Sequence, residues 1–166
     1  EVLQFARPNI PIIYVGKRGG CVSTPQAFIH RKMIALAQEG RVVARIKGGD
    51  PFMFGRGGEE MQALQQAGIK VSIISGITSG MAVPASLNIP LTHRDYTQGV
   101  TFITGHTKNE RAPNWRALAE SGTTLVIYMG MTNLAKITQQ LMQHGLPANM
   151  PAIAIQHGTL PTQRHL

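Results

Sequence analysis

Between residues 45 and 60 the chain reads Arg45-Ile46-Lys47-Gly48-Gly49-Asp50-Pro51-Phe52-Met53-Phe54-Gly55-Arg56-Gly57-Gly58-Glu59-Glu60. Five glycines, one isolated carboxylate and, counting Arg45 at the strand end, three cations are packed into the crossover from a β-branched run at 41–46 to a helix predicted over 59–67. Gly48 and Gly49 lack Cβ atoms, so a ligand could touch main-chain N–H and C=O groups directly. Pro51 stiffens the turn that presents Asp50. In open α/β sheets, ligands sit beyond the carboxyl ends of the strands, which is where this loop falls. A Walker A loop needs Gly-Lys followed by Ser or Thr, and no such run is present. A dinucleotide fingerprint starting at Gly55 would require glycine where Glu60 stands. A turn that merely reverses the chain needs one or two glycines and no acid beside them. The loop is read as a ligand site of another kind.

The elements that must position it alternate. Strands are predicted at 10–16, 41–46 and 70–74, and helices at 25–38, 59–67 and 79–87, the last containing Pro84. In the first helix Ile29, Met33 and Leu36 share a face, and Gly40 stops it. Glu59 and Glu60 fall in a first turn, where the helix dipole favours acids. The stretch 89–96 is polar and irregular and reads as a linker. A second series follows, with strands at 100–104, 123–128 and 152–155 and helices at 114–121 and 132–144. Leu134, Ile137 and Leu141 stripe the last helix. Alternation of this kind predicts a parallel α/β architecture. The break divides it into domains 1–95 and 96–166, with a cleft between them.

Composition narrows the class. With 43% apolar residues the chain is a folded protein. No apolar run approaches the roughly 18 residues of a membrane helix. The absence of a leader-like segment and the single Cys21 predict a cytoplasmic protein, with Cys21 an ordinary small apolar residue. His30, His106, His144, His157 and His165 have no metal-ligand spacing, and no metal is expected. His93-Arg94-Asp95 lacks a third partner for charge-relay or metal chemistry and reads as a hydrogen-bonded linker. The net charge of +8 invites a nucleic-acid reading. However, the cations are scattered, and only Phe52 and Phe54 lie among them as stacking residues. That favours a small polyanion over a nucleic-acid backbone.

Six segments then carry a resemblance. They are Gly16-Lys17-Arg18-Gly19-Gly20, Pro25-Gln26, the run from Arg45 to Glu60, Gly76-Ile77-Thr78-Ser79-Gly80, residues 89–95, and Thr104-Gly105-His106. In that order and spacing they resemble segments of uroporphyrinogen-III C-methyltransferases, members of the tetrapyrrole methylase family. The resemblance implies two α/β domains with S-adenosylmethionine in the cleft between them, a homodimer, and methylation of uroporphyrinogen III at C2 and C7 to precorrin-2. It carries cofactor contacts onto Gly48, Gly49, Asp50, Met53, Thr78, Ser79, Met129 and Gly158, and a catalytic role onto Lys17. S-adenosylhomocysteine is the implied product.

There are departures. The family's opening strand with its Gly-Pro-Gly loop, an aspartate upstream of Glu1, and closing strands after Leu166 have no counterpart, so the chain reads as a fragment. Ser75, Gly80 and Asn88 stand where proline, alanine and glycine are usual. Away from the resemblance, Lys17 reads as a solvated lysine and Met129 as core. The substrate's carboxylates would suit the scattered cations, and Arg18 and Arg94 are the expected partners. Three other readings compete: a methylase of a later precorrin, an RNA-binding or RNA-methylating protein of the same fold, and a non-catalytic remnant. Salt-dependent retention on RNA would single out the second.

Overall fold

The computed structural model describes residues 2–16, 24–106 and 112–166. Lys17, Arg18, Cys21 and Arg111 lie outside the described residues. The chain divides into two compact units, Glu1–Ile46 with Gly57–Ser72, and Lys47–Arg56 with Ile73–Leu166. The division expected between residues 95 and 96 falls within the second of these.

In the first unit, α1 (Gln26–Gln38) and α2 (Gly57–Gln66) lie against each other. Ile29 and Met33, one turn apart on α1, are buried. The helix is followed, after its C-cap Glu39, by Gly40, whose φ of 78° is open to glycine at no steric cost. α2 begins two residues before the expected start, at a buried Gly57, and keeps Glu59 and Glu60 in its first turn. Glu60 is 5% exposed. Its Oε1 accepts from Gln26 Nε2 at 2.9 Å and from the Arg45 guanidinium at 3.3 and 3.4 Å. This buried pair joins the residue before the glycine loop to the helix after it.

The second unit contains α3 (Ser79–Ser86), β1 (Val100–Thr104), α4 (Trp115–Ala119), β2 (Thr124–Tyr128), α5 (Leu134–Gln143), β3 (Ile155–Gln156) and β4 (Arg164–His165). β1 and β2 pair in parallel, from Val100 opposite Thr124 to Thr104 opposite Tyr128. The connection through α4 is the helical crossover that a parallel pair requires. β3 and β4 form a short antiparallel pair. Trp115 and Ile137 are buried where α4 lies against α5. The Asn114 side chain caps α4 by accepting from Ala117 N at 3.1 Å.

The carboxyl ends of β1 and β2 are drawn together by glycine. A Cβ on Gly105 would lie 2.6 Å from Gly130 Cα and 2.9 Å from Ile137 Cδ1. Asn133 Nδ2 donates to Gly105 O at 2.8 Å, and Gly105 N donates to Tyr128 O at 2.7 Å. Asn133 ends a 3₁₀ turn, Met131–Asn133, so the helix expected over 132–144 starts later, at Leu134.

The strands expected at 10–16, 41–46 and 70–74 are not seen. Among the described residues, ladders join only β1 with β2 and β3 with β4. Ile12, Val42 and Ile74 are 58, 102 and 88% exposed. β-branched composition fits a pleated, half-covered surface, but the ladder comes from a neighbouring strand, and these segments have none. The strand expected at 152–155 is shifted to Ile155–Gln156, and just before it Ala154 and Leu166 exchange backbone hydrogen bonds at 3.0 Å. Pro84 does not interrupt α3, which continues through it to Ser86.

Candidate functional site

The glycine loop folds around its carboxylate. Asp50 Oδ1 accepts from Phe52 N at 2.8 Å and from Met53 N at 3.1 Å, and Oδ2 accepts from Gly76 N at 3.3 Å. One side chain thus closes a local turn and ties it to the segment leading into α3. Backbone lies against backbone there. A Cβ on Gly76 would collide with Gly49 O, and one on Gly49 would lie 3.6 Å from Ile77 O and Thr78 Cα. Gly49 has a φ of 68°, a left-handed backbone that favours glycine, while a Cβ there would make only ordinary contacts. Gly48 differs: a Cβ there meets nothing within 4 Å. Of the two glycines expected to admit a ligand, Gly48 faces open space and Gly49 holds the fold.

A cavity of about 420 Å³ opens beside the loop. Its walls are the loop from Gly48 to Gly55, Thr78 and Ser79 at the start of α3, and Tyr128 and Met129 at the end of β2. A second cavity of about 390 Å³ shares Asp50, Met53 and Thr78 with it and is completed by Gly76, Ile77 and Met81. Both volumes fall in the range of small-molecule sites. Phe54 and Met129, two of the walls, have φ of 51° and 54°, a left-handed backbone uncommon for such side chains. Residues held this way cluster at ligand sites, where the surroundings over-determine them.

Seven of the expected cofactor residues line the first cavity: Gly48, Gly49, Asp50 and Met53 from the loop, Thr78 and Ser79 from the start of α3, and Met129. Met129 is 57% exposed, so the alternative of a core methionine does not hold. Gly158 is not part of either lining; a Cβ there would collide with the Val83 side chain on α3, which accounts for glycine by packing. Arg94 lines neither cavity. It sits in a turn closed by His93 N to Thr97 O at 2.8 Å and Thr97 N to His93 O at 2.9 Å, the hydrogen-bonded linker expected there. Among the described residues no group of three or more His, Cys, Asp or Glu is placed to hold a metal. Among the described residues no helix is long and apolar enough to cross a membrane.

Sequence reasoning missed Tyr128 and took Phe54 only as a stacking residue among cations. Their rings lie 4.9 Å apart, tilted by 50°. The available signal was position: Tyr128 ends a parallel strand, and such ends face ligands.

Comparison with known proteins identifies the family. A uroporphyrinogen-III C-methyltransferase of Pseudomonas fluorescens is 46% identical over 157 residues, which is 95% of this chain and 64% of that protein. A siroheme synthase of Thiobacillus denitrificans is 46% identical over 164 residues, 98% of this chain and 34% of the relative. Among solved structures, uroporphyrin-III C-methyl transferase from Thermus thermophilus complexed with S-adenyl homocysteine matches with a TM-score of 0.76 at 32% identity. That match covers 88% of this chain and 64% of the other. The chain therefore spans between about a third and two thirds of the length of these proteins. The sequence profile of the Tetrapyrrole (Corrin/Porphyrin) Methylases matches residues 1–166, and the chain belongs to that family.

Proposed function

We propose that the chain forms the cofactor-binding part of an enzyme that methylates uroporphyrinogen III at C2 and C7 to precorrin-2. S-adenosylmethionine is the donor and S-adenosylhomocysteine the product. The observation that carries this reading is the convergence of the glycine loop, the start of α3 and the end of β2 on one cavity. The names borne by the relatives and by the solved neighbour support it.

The residues fit such a ligand. Gly48 leaves main chain uncovered beside open space, so amide and carbonyl groups can grip the polar parts of the molecule. Met53 and Met129 supply adaptable apolar walls. Asp50 keeps the loop in its binding shape through three backbone N–H groups. When bound, the donor supplies an electrophilic methyl on a sulfonium, whose transfer to an electron-rich pyrrole carbon disperses positive charge. The protein's task is therefore alignment and exclusion of water. A proton must then leave the macrocycle, and Lys17 is the proposed group that takes it. Arg18 and Arg94 are proposed to meet substrate carboxylates.

The wider reading is a homodimer in the cytoplasm, in which residues 1–95 and 96–166 belong to two α/β domains with the cofactor cleft between them. The test uses the full-length protein. Calorimetry should detect S-adenosylhomocysteine binding, and mass spectrometry should find uroporphyrinogen III gaining two methyl groups. Methylation of a later precorrin with uroporphyrinogen III untouched would reassign the substrate. Absence of binding would overturn the proposal.

A further inference from the structure

α3 is capped in an unusual way. Its N-cap residue, Thr78, makes no side-chain capping hydrogen bond, although threonine commonly accepts from an N–H in the first helical turn. The Gly80 N–H, one of the first-turn donors without an intrahelical partner, instead donates to the Tyr128 hydroxyl at 2.7 Å. Thr78 Oγ1 lies 2.6 Å from the same phenolic oxygen. Thr78 is 6% exposed, so its hydroxyl has little water to fall back on. A strand residue thus performs the capping that the helix's own threonine leaves undone, and takes up that threonine's hydroxyl as well.

Glycine at position 80 makes the arrangement possible. A Cβ there would collide with the Tyr128 hydroxyl and lie 2.8 Å from Cε2 and Cζ of the ring. On its other side the Tyr128 ring meets Phe54, and along the chain it is bonded to Met129. Phe54 and Met129 are the two non-glycine cavity walls with left-handed backbone. One side chain therefore reaches all three parts of the site: the loop through Phe54, the start of α3 through Thr78 and Gly80, and the end of β2 through Met129.

We propose that Tyr128 is the positioning residue of this cavity, its hydroxyl setting Thr78 and its ring setting Phe54 for the bound cofactor, with Gly80 as the residue that admits it. The inference rests on the cofactor reading above. Tyr128→Phe removes only the oxygen and keeps the contact with Phe54. The full-length Tyr128→Phe protein should bind S-adenosylhomocysteine about tenfold more weakly, the scale of one well-placed hydrogen-bond group. Its KM for uroporphyrinogen III should stay within about twofold, because the cavity and not the macrocycle contact is disturbed.

Thr78→Val should show a loss no larger than this, and the double variant no more than Tyr128→Phe alone, since the Thr78–Tyr128 contact is already gone in Tyr128→Phe. Thr78→Ser, which keeps the hydroxyl, should retain affinity. A role limited to folding would lower Tm in the single variants without this pattern in ligand affinity. If the unsubstituted protein binds S-adenosylhomocysteine while Tyr128→Phe and Thr78→Val bind it equally well, or if their losses simply add, the positioning role is wrong and the cofactor reading stands. If the unsubstituted protein does not bind, both fall.

Discussion

Two carboxylates stand ten positions apart on either side of the Gly55–Arg56 turn, and the protein holds them by opposite means. Asp50 is half-buried and accepts from the backbone N–H groups of Phe52, Met53 and Gly76. Glu60 is 5% exposed and accepts from the Arg45 and Gln26 side chains. Backbone donors shape a loop, and the Asp50 arrangement leaves Gly48 uncovered beside a cavity. Side-chain donors fasten one segment to another, and the Arg45–Glu60 pair secures the base from which the loop departs. On the proposed reading, the same charge serves recognition in one place and assembly in the other. This separation should be visible in which property each substitution changes.

The largest effect is expected at Glu60. Glu60→Ala leaves the Arg45 guanidinium without this carboxylate, and because the Arg45 side chain is 28% exposed the cost falls below that of a fully buried pair, at about 2–3 kcal/mol. Chemical denaturation of the full-length variant should show this loss. The molecules that remain folded should bind S-adenosylhomocysteine with unaltered affinity. Reduced affinity in a stable Glu60→Ala protein would erase the distinction between the two carboxylates.

A smaller change in stability and a larger one in binding are expected at Asp50. Asp50→Ala frees three N–H groups in a partly exposed loop, where water can take over, so the stability loss should stay near 1–2 kcal/mol. The loop must then be ordered by the ligand, and affinity should fall by about 10- to 100-fold. A variant that melts far below the parent yet binds as tightly would mean Asp50 acts as Glu60 does.

The smallest effect concerns the cations. Several are already engaged: Arg45 with Glu60, Arg41 with Glu39 at 2.8 Å, and Arg116 with Glu120 at 2.8 Å. Arg94→Ala should raise KM for the tetrapyrrole by a few-fold and flatten its salt dependence, as expected of an exposed charge contact. Cofactor affinity should not move. An unchanged KM and salt slope would remove Arg94 from the substrate contacts.

What could be read from the chain beforehand follows the range of the interactions involved. α1, β1 and the stripe on α5 are set by local periodicity, and the structure shows them close to their expected bounds. The glycine loop was legible because its chemistry is concentrated in adjacent residues. The segments at 10–16, 41–46 and 70–74 carry strand-like composition, but pairing is decided by distant chain, and among the described residues no ladder forms on them. Tyr128 was hidden for the same reason. Its partners Thr78 and Gly80 lie 50 and 48 positions away, and nothing near residue 128 announces them. Gly49 and Gly158 were recognisable as glycines that mattered, while what demands them, a φ of 68° at Gly49 and packing against Val83 at Gly158, appears only in three dimensions.

The central claim is that the space beside Gly48 holds the cofactor, and Gly48→Val tests it most directly. A Cβ at this position meets nothing within 4 Å and the backbone is not left-handed, so the substitution fills the cavity without straining the loop, as it would at Gly49. Calorimetry on the full-length variant should show S-adenosylhomocysteine affinity reduced at least 100-fold, about 2.7 kcal/mol. Its Tm should remain within about 4 °C of the parent, the shift expected of 1 kcal/mol in a domain of this size. A folded Gly48→Val protein that binds S-adenosylhomocysteine with the parent's affinity would place the ligand elsewhere and contradict the account.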